Sequence, residues 1–213
     1  TVDPITADDI VNSLEDDAPI IVSGTVGGDA AAGDPISFSV NGNPYTATVN
    51  PDGITWSVAV LGSDLANDLS FDATVTGLDA NGNPFSATTT STHTIDLTSA
   101  ASITVDPITA DDIVNSLEDD APILVSGTVG GDATAGDPIT FSVNGNPYTA
   151  TVNPDGITWS VAVLGSDLAN DLSFDATVTG LDANGNPFSA TTTSTHTIDL
   201  TSAASITVDP ITA

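Results

Sequence analysis

The sequence predicts an all-β protein built from two tandem domains, and three observations support this prediction. Apolar and polar residues alternate along most of the chain, as they do in half-buried strands, and no stretch shows a sustained helical stripe. Clusters of Gly, Asn, Asp and Pro separate the alternating runs. The chain also repeats itself, because residues 1–103 and 104–206 align without a gap and differ at only three positions.

The repeat sets the expected domain organisation. Its period of about 100 residues is too long for solenoid units, which run to about 20–50 residues, and fits a complete small domain. We therefore predict one domain over residues 1–103, a second over 104–206 and the start of a third at 207–213, where TVDPITA recurs. The differing pairs are Ile21 and Leu124, Ala31 and Thr134, and Ser37 and Thr140.

Seven strands are predicted in each repeat, and turn residues bound each of them. In repeat 1 the alternating runs lie at 1–5, 20–26, 36–40, 45–49, 54–60, 71–78 and 85–97. From the second run onward, the connections read GGDAAAGDP, NGNP, NPDG, LGSDLANDL and DANGNP, which supply the Gly, Asn and Pro of tight turns. Seven short strands in about 100 residues are typical of an immunoglobulin-like β-sandwich. We expect two such sandwiches, arranged end to end in an extended chain.

The alternation also predicts which side chains face the core. Trp56 and Trp159 are expected to fill the two cores rather than to contact a ligand. His93 and His196, each within TTTSTHTID, are expected to be ordinary surface residues of a strand. The side chains of repeat 1 predicted to point inward are Val22, Phe38, Val40, Tyr45, Trp56, Val58, Phe71, Ala73 and Val75.

The composition is strongly acidic, which excludes several classes of function. The chain has 29 Asp and Glu residues, no Lys and no Arg, and a formal net charge of −29. Nucleic acid and anionic membrane are therefore not expected as partners, since both need a basic surface. We also expect no enzyme activity and no small-molecule substrate, because no Lys or Arg is available to stabilise an oxyanion and no nucleophile motif lies near His93 or His196. Disorder is disfavoured, since 39% of the residues are hydrophobic and the mean hydropathy is +0.17.

The acidic residues concentrate near the ends of the predicted strands, where a cation from solution could neutralise them. Calcium takes six to eight oxygen ligands in irregular geometry, whereas magnesium requires a strict octahedron and zinc prefers His or Cys. Two segments of repeat 1, at 8–15 and 79–83, carry closely spaced oxygen side chains, and Asp96 is placed at the same end as the first of them. The alternative is a halophilic surface without discrete sites. The calcium ligands that we predict from these segments are Asp8, Asp9, Asn12, Glu15, Asp79, Asn81 and Asp96 in repeat 1, and Asp111, Asp112, Asn115, Glu118, Asp182, Asn184 and Asp199 in repeat 2.

Four stretches of the sequence resemble a known family. VDPITADDIVN, SGTVGGDA, PDGITWSV and GLDANGNPFSATTTSTHTIDLT are similar to the tandem immunoglobulin-like extender repeats of giant RTX (repeats-in-toxin) adhesins, in particular the long repeat region of a bacterial ice-binding adhesin. The resemblance implies a secreted protein at the bacterial cell surface that binds Ca²⁺ within and between its repeats. It also implies that Asp3, Asp106 and Asp209 are ligands at the junctions. Because successive strands alternate between the two ends of a sandwich, Asp96 and the 8–17 segment of repeat 1 are expected near Asp106, Asp182 and Asn184 of repeat 2.

Two functions remain open at the level of the sequence. The first is a calcium-stabilised extender, whose partners are the neighbouring repeats of the same chain and which projects a distal adhesion module from the cell. The alternative is a calcium-dependent module that itself binds a ligand or glycan. Thr88, Thr90, Thr92 and Thr94 alternate along the last predicted strand and are the candidate contact face for the alternative.

Overall fold

The computed structural model describes residues 1–208, which form two compact units. Unit 1 consists of Thr1–Ser99 together with the segment Leu181–Pro187. Unit 2 consists of Ala100–Gly180 and the described residues from Phe188 onward. The first strand of unit 2, Ala101–Ile103, precedes the repeat boundary that the sequence predicts after residue 103. Among the described residues, no helix has the length and apolar character needed to cross a membrane.

Unit 1 consists of two antiparallel sheets and one short parallel pair. The larger sheet has the strand order β4-β3-β6-β7, the second pairs β2 with β5, and β1 runs parallel to β8. The elements in chain order are β1 (Ile10–Val11), α1 (Ser13–Asp16), β2 (Pro19–Thr25), β3 (Pro35–Val40), β4 (Asn43–Thr48), β5 (Thr55–Leu61), α2 (Gly62–Leu65), β6 (Ser70–Leu78), β7 (Pro84–Thr92) and β8 (Thr94–Ile95).

Unit 2 repeats this arrangement with one additional strand. Its larger sheet has the order β13-β12-β15-β16, its second sheet the order β14-β11-β9, and β10 runs parallel to β17. The elements are β9 (Ala101–Ile103), β10 (Ile113–Asn115), β11 (Pro122–Gly131), β12 (Pro138–Val143), β13 (Asn146–Thr151), β14 (Thr158–Leu164), α3 (Gly165–Leu168), β15 (Ser173–Leu181), β16 (Pro187–Thr195) and β17 (Thr197–Asp199).

The core of each unit lies between the two sheets and centres on one phenylalanine. In unit 1 the ring of Phe38 stacks on Phe71 at 4.9 Å between centroids and on Tyr45 at 5.8 Å. The indole of Trp56, which is 2% exposed, lies at 6.0 Å from the same ring. All nine side chains predicted to point inward are buried in this core or pack against it. The predicted fold class, tandem immunoglobulin-like β-sandwiches, is confirmed.

Two expectations about individual elements are wrong. Residues 1–5 form no strand in unit 1, where only Val2 makes a bridge, to Gly24. The histidines are buried rather than on the surface, with 5% of each side chain exposed. His93 follows Phe85 and Ser91 on the odd-numbered, inward phase of the strand, which explains its burial, and its Nε2 lies 2.9 Å from the carbonyl oxygen of Leu65.

Candidate metal site

The carboxylates of Asp8 and Asp9 close the loop that precedes β1. Oδ1 of Asp9 accepts a hydrogen bond from the Ile5 amide at 2.9 Å, and the backbone of Asp9 is left-handed, with φ at 62°. Oδ1 of Asp8 accepts from the Thr6 hydroxyl at 2.9 Å and from the Ile10 amide at 3.1 Å. The Thr6 bond is the main cause that holds the pKa of Asp8 below its ordinary value, with a smaller contribution from Ile10. Both carboxylates thus have a structural role in the loop.

Asn12 and Glu15 form a capping box at the start of α1. Oδ1 of Asn12 accepts from the amides of Leu14 and Glu15 at 3.0 Å, and Oε2 of Glu15 accepts from the Asn12 amide at 3.0 Å. The pattern Asn-x-x-Glu resembles the signature of such a box, which sequence reasoning interpreted only as a set of oxygen ligands. Asn115 and Glu118 make the same reciprocal bonds. A calcium-binding role for these four residues stays a prediction.

The segment Leu181–Pro187 of unit 1 is organised by the carboxylate of Asp182. Oδ1 of Asp182 accepts from the amides of Asn184 at 2.9 Å and Asn186 at 2.8 Å, and Oδ2 accepts from the Asn186 side chain at 2.9 Å. These bonds lower the pKa of Asp182, and the bond from the Asn186 side chain is the largest cause. Asp79 makes the equivalent bonds to Asn81 and Asn83 in a loop that is exposed.

Within unit 1 this segment brings together four of the predicted ligands. The Asn184 side chain donates from Nδ2 to Oδ2 of Asp96 at 2.7 Å, and Asn12 donates from Nδ2 to the Asn184 carbonyl at 2.9 Å. Asn186, which is completely buried, accepts from the Ser13 amide at 2.8 Å. We call Asn12, Asp96, Asp182 and Asn184 the Asp96 cluster.

The electrostatics of the Asp96 cluster favour a bound cation. The hydrogen bond from Asn184 is the main cause that lowers the pKa of Asp96, while the negative charge of Asp182 acts in the opposite direction. Two carboxylates thus lie close enough to repel each other, and the chain has no Lys or Arg to neutralise them.

The other predicted ligands have separate partners. Asp3 and Asp106 accept from the hydroxyls of Ser23 and Ser126, each at 2.7 Å. Asp111 and Asp112 repeat the loop contacts of Asp8 and Asp9, with Asp112 also left-handed. Asp199 accepts from the amide and hydroxyl of Thr201 at 3.1 and 3.0 Å. Asp209 lies outside the described residues.

The donor set of the Asp96 cluster fits calcium. Across residues 1–208, no three Asp, Glu, His or Cys side chains come together as a metal-binding group. The cluster instead combines two carboxylates with amide and backbone oxygens, the hard ligands that calcium accepts. Asp96, Asp182 and Asn184 would hold the ion, which needs further oxygen ligands from backbone or water.

Sequence reasoning missed a buried carboxylate in each unit. Asp64, in α2, is 5% exposed and accepts hydrogen bonds from the Tyr45 hydroxyl at 2.5 Å and from the side chains of Asn43 at 2.8 Å and Asn41 at 3.4 Å. The hydrogen bond from Tyr45 is the main cause that lowers the pKa of Asp64. The pKa of Tyr45 is raised, mainly by burial and to a smaller extent by its hydrogen bond to the Asp64 carboxylate. The sequence does contain an indication of this site. Asn41, Asn43 and Tyr45 are spaced at two-residue intervals, which places three hydrogen-bond donors on the same face of an extended segment.

We expect Tyr45→Phe to destabilise unit 1 by about 1 kcal/mol at neutral pH and to make its stability less dependent on pH in the acid range. A carboxyl whose pKa is lowered by folding stabilises the fold above its unfolded pKa of about 3.9, and this contribution is lost as the pH falls through the folded pKa. Without the phenol the folded pKa of Asp64 rises toward the unfolded value, so less stability is lost on acidification and the difference between variant and parent narrows as the pH falls. Urea unfolding between pH 7 and pH 3, followed by Trp56 fluorescence in a Trp159→Phe background, measures both effects. An unchanged pH dependence would contradict this account.

The sandwich fold and the acidic strand ends define the class of the protein as tandem immunoglobulin-like β-sandwich repeats. Over 94% of the chain, the structure matches that of a 1.5-MDa bacterial ice-binding adhesin studied for its retention at the host cell surface, with 52% sequence identity and a TM-score of 0.90. A Ca²⁺-stabilised adhesin with which an Antarctic bacterium binds ice matches 96% of the chain, with 49% identity and a TM-score of 0.88. A bacterial immunoglobulin-like domain from the M. primoryensis ice-binding adhesin is 50% identical over 48% of the chain and 100% of that domain, with a TM-score of 0.46.

The chain belongs to the immunoglobulin-like repeats of large bacterial ice-binding adhesins, and the resemblance drawn from its sequence is confirmed. It spans 64% of the first solved chain and 49% of the second. No protein-family model and no curated protein sequence matches it.

Proposed function

We propose that the chain is a calcium-stabilised extender of a large secreted adhesin at a bacterial surface, which holds a distal adhesion module away from the cell. The observation that carries the proposal is the match of both repeats together, over 94% of the chain, to one adhesin at 52% identity. Two repeats that differ at three positions contribute length rather than two different surfaces. The partners that we propose are therefore the neighbouring repeats, with no nucleic acid, membrane or small-molecule substrate and no catalytic role.

Electrostatics supply the reason for calcium. Two carboxylates about 4 Å apart repel each other by roughly 1 kcal/mol in water, and by more where water is excluded. With a net charge of −29 and no Lys or Arg, the chain relieves such repulsion only with cations from solution. The solved adhesin of the Antarctic bacterium is stabilised by Ca²⁺, and its 49% sequence identity to this chain supports the same ion here. We propose that the Asp96 cluster is one of the sites.

A matched pair of variants tests the calcium site. Asp182→Asn and Asp79→Asn remove the same charge from loops of identical sequence that make the same internal hydrogen bonds, but only Asp182 lies beside Asp96. In calorimetric titrations of the chelator-treated protein with CaCl₂, we expect Asp182→Asn to weaken one class of sites about tenfold. Extracellular calcium modules have dissociation constants of about 10⁻⁴–10⁻³ M, which sets the concentration range.

The same titration distinguishes a discrete calcium site from a diffuse acidic surface. Asp79→Asn is the control for a general loss of negative charge and should leave that class of sites unchanged. Equal effects of the two variants would show that the acidic residues act only as a diffuse charged surface. The absence of any calcium binding at millimolar concentration in the parent chain would overturn the proposed function.

A further inference from the structure

A cavity of about 500 Å³ lies beside the end of β5 in unit 1, at residues that do not belong to the Asp96 cluster. Its lining is mainly apolar but includes the buried carboxylate of Asp64. The other lining residues that matter here are Pro19, Pro44, Tyr45, Ala59 and Leu61. A cavity that combines apolar walls with a few fixed polar groups has the general composition of a ligand-binding site.

The charge of Asp64 is compensated only by neutral groups. Its hydrogen-bond donors are the Tyr45 hydroxyl and the side-chain amides of Asn43 and Asn41, and the bond from Asn41 is long, at 3.4 Å. These bonds, chiefly that from Tyr45, hold the pKa of Asp64 below its ordinary value, so the carboxylate is ionised at neutral pH. Buried charges in proteins are usually paired, and the chain has no Lys or Arg for this purpose. A cationic group from a partner would complete the pairing.

The surface next to the cavity is also apolar. Outward-facing side chains of β2 and β5 meet there, because Pro19 pairs with Leu61 and Ile21 pairs with Ala59. Ile21 is 61% exposed and Leu61 is 53% exposed. Neither strand contains a charged residue. A partner that binds at this place therefore meets an aliphatic surface beside one buried negative charge.

These features recur in unit 2 and do not depend on where the chain begins or ends. Repeat 1 is followed by another repeat and repeat 2 is preceded by one, yet the corresponding side chains Leu124 and Leu164 are 65% and 53% exposed. Asp167 accepts hydrogen bonds from Tyr148 and two asparagines as Asp64 does. Leu124 replaces an isoleucine at one of the three positions that differ, so both repeats present a large aliphatic side chain there.

We propose that this cavity binds a lysine side chain of a partner protein, with the ammonium group at Asp64 and an aliphatic neighbour of that lysine against Ile21. The net charge of −29 attracts a basic partner to this surface. The apolar lining suits the methylene stem of lysine, whereas a calcium ion needs six to eight oxygen ligands.

Lysine also fits the cavity better than arginine does. Both carboxylate oxygens of Asp64 already accept hydrogen bonds, so they leave no free pair for a bidentate guanidinium group. The ammonium group of lysine is a compact point charge and needs only one remaining direction of approach. The proposed site is separate from the proposed calcium site, and the two are tested by different variants.

Titration with short peptides, followed by NMR, tests the proposal. The peptide acetyl-Leu-Lys-Leu-amide supplies the ammonium group with aliphatic neighbours, and acetyl-Leu-norleucine-Leu-amide has a similar stem without the charge. The amide of Leu61 donates to the Tyr45 hydroxyl at 3.2 Å, so its signal reports on the cavity of unit 1. We expect the lysine peptide to shift this signal saturably and the norleucine peptide to bind about tenfold more weakly, because it lacks the charge-assisted hydrogen bond.

Two pairs of variants locate the binding. Asp64→Asn should weaken binding of the lysine peptide about tenfold, whereas Asp72→Asn, at an exposed carboxylate of the other sheet, should leave it unchanged. Ala59→Tyr places a ring in the cavity and keeps Asp64, so it tests the site even if Asp64→Asn fails to fold. It should abolish binding, while its control Ser57→Tyr, two residues away on the same face of β5, should not.

Three results would overturn the proposal. Equal effects of Asp64→Asn and Asp72→Asn would show only a diffuse attraction between the acidic chain and a cationic peptide. Cadaverine that binds as tightly as the lysine peptide would assign the cavity to a small amine and not to a protein segment. Displacement of the peptide by CaCl₂, but not by NaCl at the same ionic strength, would assign the cavity to a metal ion.

Discussion

Replacing Trp56 by alanine should destabilise unit 1 by about 3–5 kcal/mol, the usual cost of removing a large aromatic side chain from a core. The indole is 2% exposed, lies opposite Gly24 on the neighbouring strand and contacts the ring of Phe38 at 6.0 Å between centroids. Small domains are stable by about 5–15 kcal/mol, so the loss is a large share of the total.

Differential scanning calorimetry measures this loss, and the chain supplies its own references. Trp159 occupies the equivalent place in unit 2 and is left intact, so the melting of that unit serves as the internal standard. Leu61→Ala, at a side chain that is 53% exposed, should change the stability by less than about 0.5 kcal/mol. If Trp56→Ala cost no more than Leu61→Ala, the placement of the indole in the core would be contradicted.

The strands could be predicted from sequence because alternation is a local property. Each residue on the apolar phase, from Val22 to Val75, faces the core as the pattern predicts. The histidines show that position on the strand can outweigh residue type. His93 is polar, which favours the surface, but it lies on the inward phase of its strand and is therefore buried.

The sites were harder to predict because their residues meet through the fold rather than through the sequence. Asp64 is surrounded by donors from β4 and the turn before it, and only the packing of α2 against that strand makes this visible. Asn184 reaches Asp96 across a separation of 88 positions. Spacing along the chain identified the acidic segments but not which of them share an environment, so the ligand assignments stay predictions.

Withdrawal of calcium is expected to have the largest effect on the chain as a whole. A ligand that binds only the folded state stabilises it by about 1.4 kcal/mol for each tenfold excess over its dissociation constant. On the extender hypothesis, calcium also restricts motion between neighbouring repeats, because it neutralises the carboxylates at the ends of the sandwiches. Chelation restores the repulsion and should release that motion while the apolar cores stay folded.

Small-angle X-ray scattering of the 213-residue chain in millimolar calcium, and again after chelation, tests the extender hypothesis most directly. Each folded unit alone has an expected radius of gyration of about 13 Å. A change in dimensions larger than this therefore concerns the whole chain and not a single unit. We predict a profile of a stiff particle with calcium and a broader, flexible distribution of dimensions without it. Circular dichroism on the same samples checks that the strands persist. Superimposable profiles in the two conditions would contradict the calcium-stabilised extender.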